Sequence, residues 1–455
     1  MEIMDKIVSL CKRRGFIYPS SEIYGGLANT WDFGHYGTLL KNTIRDIWWK
    51  MFVLERDDMV GIDASILLNP KVWEASGHVT GFTDALVDCR SCKFRTRADH
   101  LIEDRIKNVK VEGLPMEKLT EIIRQNKLTC PRCGKGELTD VRKFNLLLET
   151  QIGILEDAKS KVYLRGEIAQ GIFLNFKNVL DTVRIRIPFG IAQQGKAFRN
   201  EVTLGQFIHR TLEFDLMEFE YFIHPSQWKD TYKYWMENMW KFVLHMGIKE
   251  DHLRWREHEE FERSHYSKKT MDIEYHYPFG WKEIFGLAYR TDFDLKNHMH
   301  HSGHDLTYTD PKTQETFVPH VVEPTFGLSR LVGVLIQDAY REEEVNGKVR
   351  VYLKLAARIA PIKAAVFPLQ RDEELARAAT QIYHELKKDL LVEYDDAGNI
   401  GKMYRRQDEI GTPYCITVDY DTLKTKTVTV RDRDTMSQER VPVDKLSGYL
   451  KEKLR

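Results

Sequence analysis

The sequence lacks a long apolar run, and this excludes the simplest class of membrane proteins. No segment approaches the roughly 20 apolar residues that a membrane-spanning helix needs. A secretory signal is missing too, because Glu2 and Asp5 stand beside only a short apolar stretch at the N-terminus. We therefore expect a protein that has no membrane partner.

Cysteine and net charge are also scarce. Six cysteines in 455 residues are too few for a disulfide scaffold, so the sequence favours the reducing cytoplasm. Lys and Arg total 68, as do Asp and Glu, so the net charge is zero. A protein that binds nucleic acid by its overall field is usually basic, so any RNA contact must come from local patches. The length favours about three domains.

What the chain does contain is a long predicted hairpin over residues 196–223. Side chains alternate along a strand, so Arg199 and Glu201 are expected to share a face of the first strand. The residues predicted to share one face of the second strand are Phe214, Leu216, Glu218 and Glu220. Burying two carboxylates is costly unless a cation lies against them. The hairpin is thus either the floor of a site for an anion and a cation or an amphipathic hairpin with a solvated acidic edge.

Two Cys-x-x-Cys pairs form the second strong signal. Cys89 and Cys92 make the first pair, Cys130 and Cys133 the second, and Gly134 allows a tight turn after it. Four thiolates at this spacing match a tetrahedral zinc site, and an all-cysteine site is expected to be closed and structural. The alternative is a chance arrangement of reduced surface thiols.

A broad apolar stripe marks the helix predicted within residues 38–54. Its members are Leu40, Ile44, Ile47, Trp48 and Met51. A helix that is apolar around so much of its girth is either deeply buried or lies at a subunit interface. We favour the interface, and hence a homodimer.

Two further segments have functional patterns. Gly327 precedes an apolar helix whose first turn contains Arg330, which suits phosphate binding. From about Ala360, short strands alternate with helices to the end of the chain, which predicts a separate α/β domain with a mixed sheet.

These residues resemble the class II aminoacyl-tRNA synthetases. Phe-Arg-Asn-Glu at 198–201 is similar to motif 2, Gly-Leu-Ser-Arg at 327–330 to motif 3, and the 38–54 helix followed by Asn69 and Pro70 to the motif 1 dimer element. Longer stretches resemble the dimeric glycyl-tRNA synthetases in particular. They are residues 69–78, 97–101, 169–173, 404–413 and 428–436.

The resemblance implies an α/β (α+β) fold with an antiparallel-sheet catalytic domain. The implied domains are 1–88 with the dimer helix, a zinc-binding insertion at 89–140, catalytic motifs 2 and 3 at 141–358, and an anticodon-binding domain at 359–455. It also implies ATP-dependent attachment of glycine to tRNA(Gly) through glycyl-adenylate, with release of AMP and pyrophosphate.

By the same resemblance, Arg199, Arg330 and Glu283 are the catalytic residues, and Glu283 holds Mg²⁺ on the phosphates. Glu201 would accept from the adenine amino group, and Phe214 would stack on the ring. The full implied ATP set is Arg199, Asn200, Glu201, His209, Arg210, Thr211, Leu212, Glu213, Phe214, Glu283, Ile284, Gly327, Leu328, Ser329 and Arg330.

Glycine offers no side chain, so its site must bind the ammonium group and leave no room for a methyl group. The resemblance implies that the carboxylates of Glu167, Glu218 and Glu323 bind the ammonium group. The full implied glycine set is Arg97, Glu167, Phe214, Glu218, Arg290, Glu323, Thr325 and Gly327. A small pocket rejects a larger ligand by steric clash, the easier direction of discrimination.

The chain departs from the family at several positions. The family usually has proline at Gly166, threonine at Ile168 and Pro-Arg at Leu204-Gly205; it often has arginine at Leu212 and glutamine at Leu216. These departures concern the acceptor end and the hairpin loop, and leave the glycine carboxylates intact.

In the last domain, the resemblance assigns anticodon contacts to Tyr404, Arg405 and Arg406, with a solvated basic face as the alternative. Two other functions remain open. One is a non-catalytic nucleic-acid-binding relative, which would be expected to lose Arg199, Glu201 or Arg330. The other is a synthetase for another amino acid, against which the position of the four cysteines argues.

Overall fold

One seven-stranded sheet organises the larger part of the chain. The computed structural model describes residues 2–107, 109, 111, 113–153, 160–202 and 207–454. Leu204 and Gly205, where the hairpin loop departs from the family, lie outside the described residues.

The elements follow in chain order. The strands are β1 (Ile17–Pro19), β2 (Trp31–Phe33), β3 (Met59–Gly61), β4 (Thr83–Asp88), β5 (Arg95–Arg97), β6 (Arg142–Asn145), β7 (Leu148–Ile152), β8 (Ser160–Leu164), β9 (Phe189–Phe198), β10 (Glu213–Ile223), β11 (Leu253–Glu257), β12 (Lys269–Tyr277), β13 (Gly280–Thr291), β14 (Tyr308–Thr309), β15 (Thr316–Phe317), β16 (His320–Gly327), β17 (Tyr340–Val345), β18 (Lys348–Leu353), β19 (Ala364–Pro368), β20 (Val392–Tyr394), β21 (Tyr414–Val418), β22 (Thr427–Asp432) and β23 (Gln438–Pro442). The helices are α1 (Ile3–Arg14), α2 (His35–Trp49), α3 (Pro70–Ala75), α4 (His78–Gly81), α5 (Ala98–Arg105), α6 (Met116–Gln125), α7 (Ala169–Leu174), α8 (Phe176–Val183), α9 (Trp228–His245), α10 (Phe293–Ser302), α11 (Leu328–Ala339), α12 (Glu373–Leu386), α13 (Ile400–Ile410), α14 (Tyr420–Thr425) and α15 (Leu446–Lys453).

The central sheet has the order β11–β12–β13–β16–β10–β9–β3, and only the β3–β9 pair is parallel. The predicted hairpin is its centre, with β9 and β10 paired from Phe198 and Glu213 to Phe189 and Phe222. This antiparallel sheet confirms the predicted fold class. One detail was wrong: Arg199 follows the end of β9, because the next backbone N–H, that of Asn200, turns away to donate to Leu146 O at 2.8 Å.

The two faces of β10 have opposite characters, as the alternation predicted. Met217 and Phe219 are fully buried in the main apolar core, which α2, α9 and α11 close from one side of the sheet. Glu218 points to the other side and lines a polar cavity. The sheet therefore separates an apolar core from a candidate site.

Three of the five residues in the stripe predicted for α2 belong to the core of their own chain, while Ile47 and Met51 are partly buried. Leu40, Ile44 and Trp48 are each 0% exposed within the single chain. The interface that we favoured for these three residues is therefore wrong, since the apolar core under the sheet already covers them. A turn of π-helix over Lys50–Leu54 continues the helix and leaves Leu54 exposed.

α2 also joins two distant parts of the fold. Near its start, Tyr36 Oη donates to Glu393 Oε1 at 2.6 Å, so it contacts the C-terminal domain. Further along, Lys41 Nζ donates to Asp215 Oδ2 at 3.0 Å, so it contacts β10 of the hairpin.

The insertion and the C-terminal domain each have their own apolar core. The sheet β5–β4–β6 packs against α5 and α6, and its core includes Ala85 and Val87, which precede Cys89. The C-terminal sheet has the order β20–β19–β21–β22–β23, parallel at first and antiparallel at the end, which confirms the mixed sheet. β23 was not anticipated. Among the described residues, none of the helices combines the length and apolar character needed to cross a bilayer.

Candidate active site

A cavity of about 340 Å³ lies on the polar face of the sheet. It is bounded by β10, β13 and β16 below, by the segment before β10 on one side and by the N-terminus of α11 on another. Predicted site residues that line it are Arg97, Glu167, Arg199, Glu201, His209, Arg210, Thr211, Phe214, Glu218, Glu283, Ile284, Glu323, Thr325, Gly327, Ser329 and Arg330.

The remaining predicted residues lie outside this lining. Leu328 is buried in the apolar core, and Arg290 is fully buried behind the cavity wall. Backbone hydrogen bonds fix two further positions. Asn200 N–H donates to Leu146 O at 2.8 Å, and Leu212 N–H donates to Asn29 O at 2.9 Å. Glu213 is exposed and forms an ion pair with Lys196.

One end of the cavity is built to hold a flat, electron-rich group and an anion. The guanidinium of Arg199 lies 5.1 Å from the ring centroid of Phe82 and 5.3 Å from that of Phe214. Its Nε donates to Gly166 O at 3.1 Å, which fixes the side chain. Nearby, Glu201 Oε2 accepts no hydrogen bond among the described residues, although Arg210 Nη1 lies 3.5 Å away.

Arg330 supplies a second positive charge to the same end. It stands in the first turn of α11, and its Nη1 lies 3.1 Å from Glu283 Oε1. Burial alone would raise the pKa of Glu283, but the charge of Arg330 holds it below its usual value. Burial, helped by Arg330, lowers the pKa of His209 to about 3, so this imidazole is neutral. Neither ring nitrogen of His209 has a hydrogen-bond partner in the described part of the chain.

The other end of the cavity is a buried acidic cluster. Carboxylate oxygens of Glu218, Glu220 and Glu323 lie within 4.8 Å of one another. Burial, and then repulsion by Glu167, raises the pKa of Glu218 to about 7. Burial likewise raises the pKa of Glu220 and Glu323 well above the usual carboxyl value. Such a cluster favours a bound cation.

Arg290 supports the cluster from behind. It donates to Glu323 Oε1 at 2.8 Å and to both oxygens of Asp294 at 2.8 Å. Glu167 Oε1 lies 3.5 Å from its Nη2. Burial would raise the pKa of Glu167, but the neighbouring His78 side chain and the Arg290 guanidinium lower it below its usual value, so Glu167 stays ionised.

The cavity residues that sequence reasoning missed include Tyr266, His258 and Asp272. The ring centroid of Tyr266 lies 3.7 Å from the guanidinium of Arg290. His258 and Asp272 share a hydrogen bond of 2.6 Å, and burial, then Glu283, raises the pKa of Asp272 to about 6. Asp272 lies on β12, whose mixed polar and apolar sequence KTMDIEYHY gave no local signal for it. His258 and Tyr266 lie in a segment whose apolar residues have neither helical nor strand periodicity.

Two departures from the family pattern lie in contact. Leu216 and Ile168 belong to one small apolar cluster, with Ala197 and the edge of Phe214. Leu216 is 7% exposed and Ile168 is fully buried. Both positions are apolar in this chain, so neither side chain brings a polar atom into the cluster. At Gly166 a Cβ atom would come within 2.9 Å of the Phe82 ring, which suits the close packing there.

The structure confirms that the four predicted cysteines lie close together. The four Sγ atoms lie within 4.8 Å of one another, with Cys89 to Cys133 and Cys92 to Cys130 both at 3.6 Å. A tetrahedral zinc with Zn–S bonds of about 2.3 Å sets its sulfurs about 3.8 Å apart. The four thiolates therefore fit this metal.

The predicted anticodon residues differ in availability. Tyr404 packs edge-on against Phe367 at 5.6 Å and its hydroxyl bonds to Thr417 Oγ1 at 2.7 Å, so its ring is turned into the domain. Arg406 forms an ion pair with Asp395, with Nη2 lying 2.6 Å from Oδ2. Arg405 is exposed.

Comparison with known proteins agrees with this arrangement. Residues 363–453 match the family model described as "Anticodon binding domain". All of the chain aligns with 76% of a prolyl-tRNA synthetase from Cryptosporidium parvum, with a TM-score of 0.66 and 14% identity, which shows a shared fold. The fold and the site motifs define a class II aminoacyl-tRNA synthetase.

Full-length relatives identify the branch of this class. The glycine--tRNA ligase of Caldanaerobacter subterraneus is 53% identical over 456 residues, covering 99% of this chain and 98% of its own length. Those of Clostridium kluyveri and Acetivibrio thermocellus are 53% identical over 458 and 455 residues, with the same coverage. The chain belongs to the glycine--tRNA ligase family.

Proposed function

We propose that this protein joins glycine to tRNA(Gly) at the expense of ATP, as a step of protein synthesis. The single observation that carries the proposal is the division of the cavity into two charged ends. Arg199 and Arg330 offer cations at one end, while Glu218 and Glu323 offer buried carboxylates at the other. An ATP molecule with glycine beside it has the complementary charges.

In the first step, a carboxylate oxygen of glycine attacks the α-phosphorus of ATP, and pyrophosphate leaves to give glycyl-adenylate. Arg199 holds the α-phosphate and the glycine carboxylate, and Arg330 reaches the outer phosphate. Phe214 stacks on the adenine, and Glu201, with its unsatisfied oxygen, accepts from the amino group. Catalysis of this displacement is mostly positioning and charge stabilisation.

Glu283 is the proposed protein ligand of Mg²⁺ at the phosphates. Its ionised carboxylate suits a hard cation. The residue now pairs with Arg330. We expect the ATP phosphates to take over Arg330, which frees Glu283 for the metal. The metal supplies charge neutralisation at the reacting phosphates.

The ammonium of glycine binds among Glu167, Glu218 and Glu323. Thr325 and Arg97 form walls of this end of the cavity, backed by Arg290. Packing behind them excludes a methyl group by steric clash, so alanine is rejected. In the second step, a hydroxyl of the terminal ribose of tRNA attacks the glycyl carbonyl and AMP leaves.

Other proposed features lie outside the cavity. Cys89, Cys92, Cys130 and Cys133 hold one structural zinc ion, which stabilises the insertion. Arg405 contacts the tRNA anticodon arm, with lesser roles for Tyr404 and Arg406. The protein acts in the cytoplasm as a homodimer, and the α2 region contributes through surface near the exposed Leu54; sedimentation of the purified chain measures the dimer.

The decisive experiment is exchange of labelled pyrophosphate into ATP with glycine, alanine, serine or threonine. We expect exchange with glycine and background with the other three. Exchange only with another amino acid would identify a different synthetase. Absence of exchange with all four would favour the non-catalytic nucleic-acid-binding relative.

A further inference from the structure

Glu220 has no role in the mechanism above, yet it is the least satisfied carboxyl group at the site. It is 0% exposed and is not among the residues that line the cavity. Neither of its oxygens receives a hydrogen bond from any described residue. A fully buried ionised carboxylate without a donor is so costly that such a group generally takes up a proton instead.

The surroundings of Glu220 favour such a proton. Glu218 lies two residues away on the same face of β10, and carboxylate oxygens of the two side chains lie within 4.8 Å of each other. Glu323 of β16 is the third member of the cluster, and Asp294 of α10 adds further negative charge. The facing cation is Arg290 of β13, which already binds Glu323 and Asp294.

Two carboxyl groups that share a hydrogen bond cannot both be its acceptor. One must donate, and the proton belongs on the group farther from solvent. Glu218 faces the cavity, whereas Glu220 lies behind it.

We propose that Glu220 is a positioning residue, whose neutral carboxylic acid donates a hydrogen bond to Glu218 and aims that carboxylate at the substrate ammonium. This role rests on the proposed function; the placement of the proton does not. Glu220 itself does not touch glycine. Because Glu220 is protonated, β10 carries two acids on one buried face, but only Glu218 presents a negative charge to the cavity.

Infrared difference spectroscopy tests the proton directly. The wild-type spectrum minus that of Glu220→Gln at neutral pH should contain the carbonyl stretch of a buried carboxylic acid. A difference spectrum with carboxylate bands alone would overturn the proposal. This measurement needs neither glycine nor ATP, so failure of the proposed function would leave it interpretable.

Kinetics test the positioning. Glu220→Gln keeps a neutral donor and should leave the KM for glycine within about threefold of wild type, whereas Glu220→Leu removes the donor and should raise it about tenfold. The KM for ATP should stay constant in both. Equal losses in both variants would refute the role of the donated hydrogen bond. Bound metal that is lost in Glu220→Gln but kept in Cys89→Ser/Cys130→Ser would show a cation, not a proton, in the cluster.

Discussion

Arg290 Nη1 donates a hydrogen bond of 2.8 Å to Glu323 Oε1; Arg290 is buried behind the cavity, and Glu323 is part of the cavity wall. The same guanidinium also binds Asp294 and approaches Glu167. One buried cation therefore holds carboxylates from a strand, a helix and a loop in fixed positions. The proposed pocket for the substrate ammonium therefore depends on this buried cation.

Replacing Arg290 with methionine should destabilise the protein strongly, because it leaves several buried carboxylates without a cation. We expect a loss of about 3–5 kcal/mol in the free energy of unfolding, measured by urea denaturation. Lys118→Met breaks an exposed ion pair with Glu121 and serves as the matched control. Similar midpoints for the two variants would contradict the structural role of Arg290.

Glu218→Gln should weaken glycine binding far more than ATP binding. The carboxylate oxygen Oε1 lies in the cavity without a hydrogen-bond partner from the described residues, so the ammonium is its natural partner. We expect a rise of about tenfold or more in the KM for glycine, measured by pyrophosphate exchange. Glu257→Gln, on the outer strand β11, is the control. Equal losses for glycine and ATP would mean that Glu218 does not bind the ammonium.

The KM for glycine should fall as pH rises through about 7. In the free protein the pKa of Glu218 is raised to about 7, by burial first and then by Glu167. A bound ammonium favours the ionised carboxylate and lowers that pKa, so binding releases a proton. Below about pH 7 the KM should therefore rise by up to about tenfold per pH unit, and above about pH 8 it should level off. The KM for ATP, measured at the same pH values, provides the comparison; a glycine KM that is flat across this range would contradict the linkage.

The cysteine cluster should hold one zinc ion per chain. Changing Cys89 and Cys130 to serine removes one ligand from each pair, and we expect the metal to be lost, as measured by elemental mass spectrometry. Cys415→Ser is the control, since Cys415 is buried in the C-terminal domain. Full metal content in the double variant would refute the site.

Arg405→Ala should raise the KM for tRNA and leave glycine-dependent pyrophosphate exchange unchanged. Arg405 is an exposed cation on α13, and its only recorded ion pair among the described residues, with Glu409, is long at 3.6 Å. Phosphate contacts from such residues contribute a salt-dependent share of affinity. Arg377→Ala, on the exposed face of α12, is the control. Equal effects of both variants would argue for a diffuse field instead of a contact.

Local patterns predicted much of the fold and the site. The cysteine pairs and the alternating face of β10 are set by neighbours in sequence, so spacing alone indicates them. Three residues of the α2 stripe, Leu40, Ile44 and Trp48, were misassigned because amphipathicity reports that a face is buried, not which chain buries it. Tyr266 reaches the site through a long-range contact with Arg290, and no local pattern encodes that contact.

The departures show a second limit. Leu216 taken alone was only a departure from the glutamine that the family often has. The fold reveals that Ile168, a second departure, lies in the same small apolar cluster.

The two contacts of α2 have a mechanical consequence. Tyr36 and Lys41 are five residues apart on one helix, a rise of about 7.5 Å. One residue is bonded to the C-terminal domain and the other to the strand that carries Glu218. This helix segment is too short to bend appreciably, so it behaves as a rigid unit. We therefore expect a displacement of the C-terminal domain to reach the strand that forms part of the cavity floor.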